Sequence, residues 1–178
     1  MRAFLILLAS LALLQAPAFA GDFTDAERAA LAAQIETFDA AMRVNDFATV
    51  IGTIPPAFLA HFAKGAGLST EDFIQRLPQM MEAGMQGVEL QDFSMSLEDA
   101  QFLELSDGTP YALVPTETTF KLAEKTYRAT GDTLGLYDNG TWYLVRVSEA
   151  AQVEVLVAVY PAFADVTFAP SNVEVISE

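Results

Sequence analysis

The hydrophobic period of this chain changes once, near residue 87, and that change constrains its fold more than any other feature. Before it, apolar residues recur at helical spacing; after it, they alternate as strand residues do. Helices followed by strands point to an α+β domain in which helical material packs against an antiparallel sheet. The expected divisions are a helical stretch over 24–86, a mainly β stretch over 87–147, and a short helix and tail over 148–178. With no internal repeat and no low-complexity linker, 21–178 reads as one domain.

The helical half carries its own punctuation. Thr24-Asp25-Ala26-Glu27 is a capping box, and Leu31, Ile35, Phe38 and Met42 follow it on one face. Asn45-Asp46 ends that helix and caps a short one over 47–51. Pro55-Pro56 opens a third, with Phe58, Leu59 and Phe62 as its apolar side and Gly65 and Gly67 as its stop. Ser69 caps a fourth, which carries Phe73, Leu77 and Met80 or Met81 and contains Pro78. In the β half, 88–93 alternates partway and 101–105 alternates again. A turn at Asp107-Gly108-Thr109-Pro110 leads into a long strand over 111–122, where Pro115 implies a bulge or an edge. Strands follow over 127–130 and 133–137. Asp138-Asn139-Gly140 is a hairpin turn that needs positive φ, and 141–147 returns from it. Ser148 can cap a short helix ending before Pro161, and 166–176 adds a last extended piece.

Residues 1–20 read as a secretory signal peptide. Arg2 precedes an apolar run over 3–14, and Ala18-Phe19-Ala20 offers small residues for cleavage between Ala20 and Gly21. The run is too short for a membrane span, which needs about 20 residues. The protein is therefore expected in the periplasm or secreted, with no membrane association after cleavage. Its 178 residues contain no Cys, one His, 24 Asp plus Glu and 9 Lys plus Arg, for a net charge of −15. Absent cysteine excludes disulfides, thiolate nucleophiles and iron–sulfur clusters, and a single histidine excludes a two-His metal site within the chain. The charge argues against nucleic acid and anionic membrane surfaces as partners. No motif for a nucleotide, a metal protease or a hydrolase nucleophile is present, and no cofactor is expected.

Two pieces of sequence resemble a known superfamily. They are Phe38-Asp39-Ala40-Ala41 with Asn45-Asp46-Phe47, and the late run from Asp138 through Gly140-Thr141-Trp142-Tyr143-Leu144-Val145-Arg146-Val147. Together, over most of 24–165, they look like the nuclear transport factor 2-like superfamily and small exported bacterial proteins of that type. The resemblance implies a cone, with N-terminal helices in the concave face of a curved antiparallel sheet. It implies a fold and not a chemistry.

Candidate site residues follow from chemistry and from that likeness. His61 is the sole side chain with an ordinary pKa near neutrality. Asp39 and Glu117 are candidate carboxylate bases of the kind the superfamily's isomerases use. Tyr111, Tyr127, Trp142, Tyr143 and Arg146 are candidate pocket residues. Strand alternation puts Trp142, Leu144 and Arg146 on one face and Tyr143, Val145 and Val147 on the other. Trp142 is expected in the core, and Arg146 is expected to pair with one of the many acids. Met80, Met81 and Met85 are expected as core fillers rather than copper(I) ligands. The expected function is an exported, non-catalytic module that binds a small apolar molecule or a protein partner. The alternatives are a homodimeric interaction protein using a sheet face, and an isomerase- or dehydratase-like enzyme with a buried carboxylate.

Overall fold

The computed structural model describes residues 23–177. The expected export segment, with its cleavage site at Ala20 and Gly21, lies outside the described residues.

Four helices come first: α1 (Asp25–Arg43), α2 (Phe47–Gly52), α3 (Pro56–Gly65) and α4 (Thr70–Gly84). Each start is explained locally. At α1, the Thr24 hydroxyl accepts from the Glu27 N–H at 3.2 Å, and the Glu27 carboxylate accepts from the Thr24 N–H at 2.8 Å. Asp46 accepts from the Thr49 N–H and Ser69 from the Asp72 N–H, filling the same role for α2 and α4. Proline at the first position opens α3 without losing a hydrogen bond. Gly67 then takes the left-handed conformation that ends it, at φ +68°. α4 continues through Pro78.

The strands are β1 (Val88–Met95), β2 (Gln101–Glu104), β3 (Pro110–Leu122), β4 (Lys125–Asp138), β5 (Thr141–Arg146) and β6 (Asn172–Ser177). Between the last two lie α5 (Ala150–Val159) and a 3₁₀ turn over Pro161–Phe163. All six strands form one curled antiparallel sheet. The long β3–β4 ribbon is its spine, and each spine strand carries two short neighbours end to end. On β3, β2 pairs with 110–113 and β1 with 116–122. On β4, β6 pairs with 126–130 and β5 with 133–138.

Pro115 sits between β2 and β1. Its carbonyl accepts from the Ser96 N–H on that side, so its missing N–H falls in the gap between neighbours rather than in a ladder. The proline is thus tolerated inside a spine strand, a third solution beside a bulge or a sheet edge. Opposite it, 131–132 forms the matching gap on β4, which explains why the pattern suggests two strands there although the backbone makes one.

The sheet is covered on both sides. On the inner face, Ala112, Val114, Trp142 and Leu144 pack against Leu31 and Ile35 of α1. Gly135 lets α1 approach, since a Cβ there would lie 3.1 Å from Leu31 Cδ1. On the outer face, Leu113, Leu134, Leu136, Val145 and Val147 pack with Leu156 of α5 and Phe163. A third cluster of Ile51, Leu59, Ala63 and Phe73 ties α2, α3 and α4 together. The free edge of β5 is closed locally, where the Leu144 N–H donates to the Thr53 carbonyl at 2.9 Å. α5 begins one residue later than a Ser148 cap would give. Glu149 is its cap residue, and the Gln152 side chain accepts from the N–H groups of Ser148 and Glu149.

Candidate functional site

A partly enclosed cavity of about 300 Å³ lies between the inner face of the sheet and the helices. Phe38 and Met42 of α1, Val50 of α2 and Met81 of α4 form its roof, and the strands supply Phe93, Met95, Thr116, Thr118, Ala129, Thr133 and Leu144. The sheet residues reach one side because their alternation is in phase across three strands, with one correction. β1 bulges between Leu90 and Asp92. That extra residue shifts the phase, so Phe93 and Met95 pair with Thr118 and Thr116 and share their face. Phe93 also meets Phe38, with ring centroids 5.3 Å apart.

The wall is largely apolar, with Asp132 and several hydroxyls among its lining residues, two of which pair with each other. Thr116 Oγ1 lies 2.8 Å from Thr133 Oγ1 and 3.0 Å from the Val114 carbonyl. Such a pair presents methyl groups and spare acceptor lone pairs, and it carries no charge. At the rim is Arg146. Its Nε donates to Ser148 Oγ at 2.8 Å, and Ser148 Oγ in turn lies 3.2 Å from Gln152 Oε1. Arg146 meets no carboxylate among the described residues, contrary to the expectation that it would pair with an acid. A larger, more open groove runs outside the cavity past Met42, Asp46, Pro78, Met85 and Phe93. Its lining is more polar and its floor is more exposed, so the smaller cavity is the better-formed candidate for holding a ligand.

Of the five expected pocket residues, Arg146 borders this cavity. Tyr111 is buried on the outer face, edge-on to Phe163 at 5.5 Å, and burial raises its hydroxyl pKa. Tyr127 stacks on Phe120 at 5.3 Å, beyond the cavity along the ribbon. Trp142 is in the core as expected, 5.1 Å from Tyr137, and its indole N–H has no hydrogen-bond partner. Tyr143 packs with the outer-face cluster. The reason is alternation: Trp142 points inward but lies under α1, and Tyr143 points outward.

The candidate acid–base residues are likewise apart from the cavity. Asp39 is held by Arg43 one turn along α1, at 3.0 Å. Glu117 points to the outer face, where Arg128 lies 3.3 Å away. His61 is exposed on α3 with its ring edge-on to Phe62. No carboxylate–tyrosine pair of the kind an isomerase would need is brought together from these residues. Met80 is exposed, Met81 belongs to the cavity roof and Met85 lines the outer groove, so the three thioethers serve different surroundings. Among the described residues, no group of three or more His, Asp or Glu side chains could hold a metal, and no helix is long and apolar enough to cross a membrane.

The sequence reading missed Phe93, Met95, Thr116, Thr118 and Thr133. For the threonines the signal was available in the alternation of β3 and β4. For Phe93 and Met95 it was hidden by the bulge. Comparison with known protein families, curated proteins and solved structures finds no match.

Proposed function

We propose that this chain is an exported, non-catalytic binding module of the nuclear transport factor 2-like type, with a small apolar ligand held in the inner cavity. The observation that carries this reading is the cavity itself. A space of about 300 Å³ between α1, α2, α4 and four strands has a largely apolar wall, a Thr116–Thr133 hydroxyl pair, and Arg146 and Asp132 as its charged lining residues. Apolar enclosure with few polar groups is the ordinary chemistry of a small-molecule site. The curled antiparallel sheet with N-terminal helices on its inner side is compatible with the cone that the sequence resemblance implies.

Native mass spectrometry of the protein purified from a bacterial host tests the reading. The expected spectrum carries an added mass of a few hundred daltons or less that disappears on denaturation. A bare chain that also fails to take up small apolar probes contradicts it.

A second reading, a homodimeric interaction module, has one observation in its favour. β6 leaves Val173, Val175 and Ile176 exposed at 56, 48 and 41%. The outer sheet face, with Val145 and Val147, is covered by the chain's own α5. The same spectra read this alternative directly, as dimer or monomer.

A further inference from the structure

Arg28 lies over the Phe102 ring, and although the chain carries 24 acidic side chains, only Arg43 and Arg128 among the described arginines meet carboxylates, at 3.0–3.4 Å. Arg146 meets none among the described residues. Its guanidinium is nevertheless held in place: Nε donates to Ser148 Oγ, and Ser148 is tied through both its N–H and its hydroxyl to the Gln152 side chain. Ser148 is itself buried at 8% exposure, so the anchor is fixed at its base while the terminal nitrogens stay available. A guanidinium positioned this way is a preorganised partner for a planar anion, since its fork matches a carboxylate.

Arg146 also stands where two apolar spaces meet. It borders the inner cavity, and it borders a second groove of about 360 Å³ between α3 and α5, lined by Phe58, Phe62 and Val155. Ile54 and Leu144 line both spaces as well. Asp132 is the other charged residue on the inner lining, but of the two only Arg146 borders both apolar spaces, and a cation there matches a molecule with an apolar body ending in one negative group. The inner cavity has the volume of roughly ten liquid waters at about 30 Å³ each, room for a short apolar chain.

We infer that the ligand is an apolar monocarboxylate, its body in the inner cavity and its carboxylate on Arg146. This rests on the ligand-binding reading above and adds the head group to it. Inorganic anions do not fit the site as well, because they have no apolar body to fill the cavity and the site offers one guanidinium rather than a nest of donors.

The test is calorimetric titration of the purified full chain with sodium octanoate and with 1-octanol, which share a chain and differ in charge. Octanoate is expected to bind about tenfold or more tightly than octanol, as a charge-assisted hydrogen-bond pair allows. In Arg146→Gln that ratio is expected to fall to about one or below. In Ser148→Ala, which frees the guanidinium without removing it, the ratio takes an intermediate value. Arg146 is exposed, so its replacement leaves a folded protein to measure. If octanol binds as tightly as octanoate, or if the preference persists in Arg146→Gln, the head-group assignment is overturned while the cavity reading stands. If neither compound binds, both are overturned.

Discussion

Tyr160 shows how one side chain ties the outer layer to the closing hairpin. Its hydroxyl donates to Asp138 Oδ2 at 3.0 Å, and its ring stacks on Phe58 with centroids 5.8 Å apart. Burial first, and then the neighbouring Asp138 carboxylate, push its pKa well above the usual tyrosine range. A raised pKa in the folded state means that the neutral phenol is favoured by folding. The stabilisation is complete below the unfolded value near 10 and is lost as pH rises beyond it. The urea midpoint is therefore expected to fall on raising the pH from 9 to 11. Tyr160→Phe should lower the unfolding free energy at pH 7 by about 1 kcal/mol for the lost hydrogen bond, and should make the alkaline decline shallower. An unchanged alkaline slope in the variant would assign that decline elsewhere, with Tyr111, also raised by burial, as the next candidate.

At the same scale, the limits of reading side chains from sequence are visible. Arg146 and Trp142 could be assigned a shared strand face from alternation alone. That Trp142 lies beneath α1 and Arg146 at a cavity rim depends on where α1 crosses the sheet, and Gly135 and Ala112 decide that by leaving room for Leu31. Small residues that permit a crossing carry no periodic signal of their own.

Among the elements, the turns separate what local chemistry declares from what tertiary structure imposes. The β4–β5 hairpin turns through Asn139 at φ +49° and Gly140 at φ +83°, residues suited to that backbone. The β3–β4 hairpin turns through Ala123 at φ +53°, a conformation disfavoured for a residue with a Cβ. No turn residue marks the place, so the sequence alone does not announce the connection between the two spine strands. The twelve paired positions from Tyr111–Leu136 to Leu122–Lys125 hold it instead. Ala123→Gly is expected to stabilise the protein by about 1 kcal/mol, because the glycine relieves that strain. Thermal or urea unfolding reads it, and a destabilised variant would mean that the Ala123 conformation carries no cost. The helix starts, in contrast, were legible at Thr24, Asp46, Pro55 and Ser69, since a cap is a local arrangement of a few residues.

For the molecule as a whole, the architecture is two helical layers about one curled sheet, with the spine strands changing neighbours at a common level. Pro115 on β3 and Gly131 on β4 mark that level. A Cβ on Gly131 would lie 3.1 Å from Ser171 Cβ, where the tail crosses the edge toward β6. The sequence conveyed the order of elements and the α+β class, because both follow from a period that changes once. It did not convey the cavity. That space is assembled from α1, α2, α4 and four strands, and its lining includes a pair of residues moved into place by the β1 bulge.

On the proposed function, the inner cavity, and not the larger outer groove, receives the ligand. Amide ¹H–¹⁵N NMR spectra recorded during a titration with 1-octanol separate the two sites. Saturable shifts are predicted at Ala129, Thr133 and Leu144, with little change at Gln79, Glu82 and Glu89 along the outer groove. Shifts confined to the outer groove, or none that saturate, would contradict the account.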